Sequence, residues 1–207
     1  NMVQALKYSN INKVVSALVR SKARVLDIGC WDGSLGKNLI EKKESIFHVI
    51  ECTEEVAKIA KNNGYEKVYI RNLNNINELI IPVETYDQII FADVIEHLLY
   101  PSEVLNFYKR YLKKDGEIII SLPNIAFILY RIRLLFGTFD YKNVGVMDNT
   151  HVRFYTHKTM LELFYKCNLE VMKELKYNEV AKQHMLLQIL KYVAPNLFTL
   201  QFVFLLK

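Results

Sequence analysis

The chain has 207 residues, 51% of them hydrophobic, and 27 Lys plus Arg against 22 Asp plus Glu give a net charge of +5. That length suits one domain, 1–207, able to bury roughly 70% of its unfolded surface, so neither a disulfide nor a metal is needed to hold the fold. Four prolines and seven glycines exclude a disordered or fibrous chain.

The positive charges are scattered as pairs such as Lys42-Lys43 and Lys113-Lys114, not gathered into the stripe a nucleic-acid face shows, so nucleic acid is not an expected partner. Cys30, Cys52 and Cys167 are widely spaced and odd in number, which fits free thiols and a cytoplasmic setting. Residues 1–22 mix apolar and polar positions at helical spacing and read as an N-terminal helix, not a leader. The apolar stretch from Met185 to Leu206 is broken by Lys191, Pro195, Asn196 and Gln201, so no membrane span is expected.

In chain order, Arg24 to Ile28 is an apolar run closed by a glycine turn and reads as a first strand. Ser34 to Lys43 has helical spacing of Leu35, Leu39 and Ile40. Ile46 to Ile50, closed by Glu51, is a second strand. Thr53 to Asn63 is a helix stopped by Gly64, and Lys67 to Ile70 is a third strand. Tyr86 to Ala92 is a fourth. A helix from Ser102 to Lys114 leads through Asp115-Gly116 into a fifth strand, Glu117 to Ser121.

Residues 123–153 then interrupt the rhythm with aromatics and arginines, followed by a helix from Thr156 to Cys167 and a strand from Leu169 to Leu175. A helix from Val180 to Val193 and a strand from Gln201 to Leu206 end the chain. Strands alternating with helices predict an α/β fold: a Rossmann-like, seven-stranded, mostly parallel sheet with helices on both faces and an α-helical insertion after strand five.

In such sheets ligands bind beyond the carboxyl ends of the strands, beside the first one. The turn there carries Gly29, Gly33 and Gly36, not the G-x-G-x-x-G spacing that lays a pyrophosphate on a helix N-terminus. That spacing suits a ligand without phosphates. Glu51, roughly 20 residues on, can accept from both ribose hydroxyls, and Asp27 adds negative charge for an ammonium group.

Val25-Leu26-Asp27-Ile28-Gly29-Cys30 through Gly33 resembles motif I of class I S-adenosylmethionine-dependent methyltransferases. Phe91-Ala92-Asp93-Val94-Ile95-Glu96-His97-Leu98 with Pro101 resembles the family's fourth-strand motif. Asp148 to Thr156 and Pro195 to Phe204 resemble segments of the group found in glycan, polysaccharide and small-molecule biosynthesis. The resemblance implies S-adenosylmethionine as cofactor. It places Asp27, Gly29, Cys30 and Gly33 along the methionine end, Glu51 on the ribose, Cys52 beside the adenine, and Asn72 and Leu73 at the adenine edge. The backbone near Ala92, with Asp93 beyond it, would approach the methionine portion. Asn72 stands where many relatives have Asp.

Methyl transfer from a sulfonium is an in-line displacement that mainly needs the acceptor held in line at about 3–3.5 Å. A hydroxyl acceptor also gains from a general base, worth about 10²–10⁴-fold, and histidine is suited to this at neutral pH. His97, after the fourth strand, and His151, in the insertion expected to close as a lid over the acceptor, are the catalytic candidates. His48 and His184 read as structural, and His157 as exposed in a first helical turn.

The expected reaction is methylation of a hydroxyl on a small-molecule or glycan acceptor. Two alternatives are open. One is N-methylation of an amino sugar. The other is RNA 2′-O-methylation with a metal on Asp93, Glu96, His97 and His151, which resembles the cluster of small-RNA methyltransferases, although Asp93 replaces their first Glu. Residues 127–136 can form an acceptor platform through Arg131 or Arg133, or pack on the sheet or on a homodimer partner. Arg153 and Tyr155 can touch the acceptor or anchor the insertion, and Trp31 reads as a packing residue.

Overall fold

A computed structural model describes residues 13–76, 81–178, 189–190 and 192–207. Its strands are β1 (Arg24–Ile28), β2 (Ile46–Glu51), β3 (Lys67–Ile70), β4 (Tyr86–Ala92), β5 (Leu112–Pro123), β6 (Val171–Tyr177) and β7 (Gln201–Leu206). They form one seven-stranded sheet in the order β3-β2-β1-β4-β5-β7-β6. Strands β1 to β5 pair in parallel, while β7 inserts antiparallel between β5 and β6.

The chain builds outward from β1 through β2 to β3, then returns to lay β4 on the other side of β1. The loops leaving β1 and β4 therefore diverge and open a crevice at their carboxyl ends.

The inner strands are buried on both faces, while β3 and β6 at the edges are largely exposed or half-buried. In β1, Leu26 and Ile28 enter one apolar layer with Ile50, Phe91 and Phe204, while Val25 enters the other with Phe47, Tyr65 and Val203. Asp27 shares Val25's face by the two-residue alternation of a strand. Its place under the second layer is thus dictated by the apolar residues around it.

Local chemistry sets the helix ends. Helix α1 (Ser34–Lys43) starts at Gly33, which has a left-handed backbone at φ 67°, and ends with Lys42 and Lys43 favourably placed at the negative end of its dipole. Helix α2 (Glu54–Asn62) is capped by Thr53, whose hydroxyl accepts from the Val56 N–H, with Glu54 and Glu55 in the first turn. Helix α3 (Pro101–Lys109) opens on proline, which needs no N–H partner there. Helix α4 is Ile128–Leu135. A capping box of Thr156 and Thr159 starts helix α5 (His157–Lys166).

Three expectations need correction. The helix expected to run to Lys114 stops at Lys109. The Tyr111 carbonyl is taken by the N–H groups of Thr85 and Tyr86, and Leu112 pairs with Tyr86, so β5 begins before the charged residues 113–115. The sixth strand lies two residues later than expected, with Glu170 and Lys207 exchanging backbone bonds before it begins. The insertion is helical only over α4; its later part is turns and bends with an isolated bridge from Lys142 to Asp148.

At the N-terminus, residues 13–18 are helical, with Val15, Leu18 and Val19 buried. The helix expected from Val180 to Val193 lies mostly outside the described residues. Residues 189–190 and 192–193 of it are helical, and a short helix α6 (Pro195–Phe198) follows.

Gly36 shows why glycine stands in the first turn of α1. A Cβ there would lie 2.2 Å from the Tyr65 ring and hydroxyl, whose oxygen donates to Asp27 Oδ2 at 2.6 Å. Gly36→Ala must displace that tyrosine, and overpacking of this kind costs about 1–3 kcal/mol. Chemical denaturation should show a loss of that size, whereas unchanged stability would contradict the packing described.

Candidate active site

The β1–α1 turn is bent by left-handed residues. Gly29, Trp31 and Gly33 have φ of 72°, 55° and 67°. At Gly29 this close turn admits no side chain, since a Cβ would lie 2.9 Å from Val94 Cγ2. The turn brings backbone to the crevice, where a cavity of about 550 Å³ opens at the ends of β1, β2 and β4.

Two carboxylates stand at strand tips on its wall. Asp27 is 1% exposed; Oδ2 accepts from the Tyr65 hydroxyl, while Oδ1 is buried with no hydrogen-bond partner. Burial pushes its carboxyl up, against the Tyr65 hydrogen bond and with a smaller contribution from the Glu51 charge, to about 7. Glu51 is braced by the backbone: Oε1 accepts from the Trp31 N–H at 3.0 Å and Oε2 from the Cys52 N–H at 3.2 Å. Each oxygen retains a lone pair for a ligand hydroxyl.

A third carboxylate is differently used. Asp93 follows β4 with φ 57°, a strained value for a residue with a side chain. Its N–H donates to Ser121 Oγ at 3.0 Å, and Oδ1 accepts from Ser121 Oγ at 2.7 Å and from Gln201 Nε2. Side chains of β5 and β7 thus clamp the end of β4 at the cavity wall.

The far wall comes from the insertion. Asp148 Oδ1 accepts from the Thr150 N–H at 2.9 Å and from its hydroxyl at 2.6 Å, forming a tight turn. The Glu96 carbonyl then accepts from Val152 and Arg153 N–H groups, both at 3.0 Å. The Arg153 guanidinium donates to the carbonyls of Leu98 and Leu99, so Arg153 anchors the segment.

His97 Nδ1 lies 3.1 Å from the Thr150 carbonyl, and His151 Nδ1 lies 3.1 Å from that of Val146. A carbonyl only accepts, so in the neutral rings both Nδ1 atoms carry the proton; His97 Nε2 then keeps a lone pair, while His151 Nε2 lies 3.8 Å from Glu96 Oε1. The rings meet edge-on with centroids 4.7 Å apart.

Of the residues expected at the site, Asp27, Gly29, Cys30, Glu51, Cys52, Leu73, Ala92, Asp93 and His97 line the cavity. Gly33 caps α1 and is outside the lining, as is His151, which packs edge-on against His97 with its side chain 6% exposed. Asn72 is outside the lining, its side-chain oxygen accepting from the Asn74 N–H at 2.9 Å. Burial pushes the Cys30 thiol far up, so it packs as a neutral wall.

Trp31 is corrected: it is 55% exposed on the cavity wall and is not a packing residue. His157 is half-buried and paired with Glu174 at 2.9 Å, not exposed. His48 is structural as expected, bonded to Tyr86 and Glu66, and His184 lies outside the described residues. Asn143, Asp148 and Thr150 also line the wall, beyond the residues expected there. The Asp148-Asn149-Thr150 turn signal was available, but nothing local says that it folds back onto residues 96–99.

An orphaned buried carboxylate oxygen, a braced carboxylate 24 residues later and a backbone cradle at Gly29 fit S-adenosylmethionine. Asp27 suits its ammonium and Glu51 its ribose hydroxyls.

Residues 4–174 match the family described as "Methyltransferase domain". A ubiquinone biosynthesis O-methyltransferase of Xylella fastidiosa is 28% identical over 155 residues, 68% of this chain and 62% of that one. The corresponding protein of Haemophilus ducreyi is 26% identical over 140 residues, 64% of this chain and 58% of that one. The alignments therefore span about three-fifths of these relatives' length. The fold is shared with a solved protein from Thermotoga maritima, described as a possible histamine N-methyltransferase, with a TM-score of 0.69 and 18% identity over 100% of this chain and 91% of that one. The chain therefore belongs to the family described as "Methyltransferase domain".

Proposed function

We propose that the chain methylates a hydroxyl of a small-molecule or glycan acceptor, with His97 as general base. The observation that carries this reading is the hydrogen bond from His97 Nδ1 to the Thr150 carbonyl at the cavity wall, which leaves the Nε2 lone pair to take a proton. The cofactor supplies a methyl carbon activated by an adjacent sulfonium. His97 Nε2 would take the hydroxyl proton of an acceptor held in line with the methyl group that the cofactor would supply. His151 holds the His97 ring in place by its edge-on contact. The names of the relatives, O-methyltransferases, support oxygen as the accepting atom. Residues 143–150, within the 123–153 insertion, act as the lid over the acceptor.

A second reading has its own support. With both Nδ1 atoms donating to carbonyls, both imidazoles are oriented as metal ligands usually are. One ligand atom each from Glu96, His97 and His151 lies within 4.8 Å of the others, so the three could hold a divalent cation. Asp93, grouped with them on sequence alone, is outside that cluster and bonded instead to Ser121 and Gln201.

His97→Ala should lower kcat by about 10²–10⁴-fold while calorimetry shows unchanged affinity for S-adenosylmethionine. Wild-type turnover would refute the base. Under this reading activity survives treatment with a chelator; loss, with restoration by magnesium or manganese, would favour the cation instead.

Asp27 gives a pH test. Placing the cofactor's ammonium beside a carboxyl raised to about 7 favours its ionised form, so binding expels a proton. Affinity should therefore rise with pH from 5.5 and level off just above 7, by at most about tenfold per pH unit. Asp27→Asn should flatten the profile. An unchanged profile in that variant would show that Asp27 does not face the ammonium.

A further inference from the structure

Helix α4 plays no part in the cavity just described, and none of its residues is buried. Leu129, Ile132, Leu135 and Phe136 recur at helical spacing and form one exposed stripe, with Leu135 and Phe136 80% and 79% exposed. At 100° per residue Arg131 falls on one side of that stripe and Arg133 on the other. Tyr130 and Leu134 lie on the opposite side, where with the two arginines they line a second cavity of about 290 Å³; Leu134 is still 59% exposed, and Arg131 Nε donates to the Ala126 carbonyl at 2.6 Å. Tyr141, exposed, and Lys142 continue the same character, and no acidic residue occurs between Asn124 and Phe139. Contiguous exposed apolar surface of this kind marks an interaction site.

We propose that α4 is an interfacial helix, laying its apolar stripe at the headgroup–acyl boundary of an anionic lipid surface while Arg131 and Arg133 meet phosphates on either side. Apolar residues between flanking cations are the pattern of such helices. Among the described residues no helix is long and apolar enough to cross a membrane, so the contact is with one face of the bilayer.

A second copy of the chain fits less well. A helix of eight residues is about 12 Å long and 10 Å wide, far short of the roughly 800 Å² per partner of a stable interface. A two-fold contact about the stripe would also bring the arginines of both copies together.

Met147 lines the space beneath α4, and its neighbour Asp148 lines the cofactor cavity.

The test is flotation of the full chain with vesicles of phosphatidylcholine alone or with added phosphatidylglycerol. The chain should float with the anionic vesicles and be released by salt. Leu135→Ser with Phe136→Ser should weaken this at least tenfold, and Arg133→Gln about fivefold on anionic vesicles only. All three side chains are exposed, so melting temperature and cofactor affinity should hold, which separates failure here from failure of the acceptor assignment. No flotation, or equal flotation of the double variant, would overturn the proposal. So would a concentration-dependent dimer in sedimentation velocity that the double variant abolishes, because the face would then belong to a second copy.

Discussion

The site depends on keeping two carboxylates at adjacent strand tips inside a mostly apolar body. Asp27 is forced inward by the two-residue alternation of β1, between apolar neighbours that must be buried. Placing a carboxyl there is costly, and its raised proton affinity is the sign of that cost. Tyr65 offsets part of it, and Gly36 exists to let Tyr65 reach. Glu51 is treated differently: two backbone N–H groups hold its oxygens in position. One acid is left partly unsatisfied and the other is braced, which suits one to a cation and the other to neutral hydroxyls.

Backbone strain surrounds these groups. Trp31 and Asp93 both adopt left-handed conformations that side chains resist, and each borders the cavity. The Asp93 geometry survives because Ser121 and Gln201 bind it from β5 and β7. The antiparallel strand β7, set between β5 and β6, thereby reaches the active face.

Much of this was legible in the chain. The glycine turn, Glu51 and the motif after β4 are local patterns, and alternating apolar runs place them at one end of a sheet. Gly33 and Asn72 were legible as neighbours of the site but not as to side: Gly33 is a helix cap, and Asn72 turns its oxygen to Asn74. The early end of α3 was hidden because Tyr111 fits a helical pattern and is claimed instead by β4, a tertiary contact. The wall formed by Asp148 and Thr150 was likewise invisible, since its placement rests on backbone bonds to Glu96, more than 50 residues away. Trp31 was misjudged because large aromatics are usually core, whereas strain in its turn holds it outward.

The most direct measurement is calorimetric titration of S-adenosylmethionine into the wild-type chain and Glu51→Ala, with circular dichroism confirming that both are folded. Glu51 holds the ribose on this account, so the variant should lose binding by at least about a hundredfold, as expected when charge-assisted hydrogen bonds in a buried site are removed. Equal dissociation constants for the two folded proteins would contradict it.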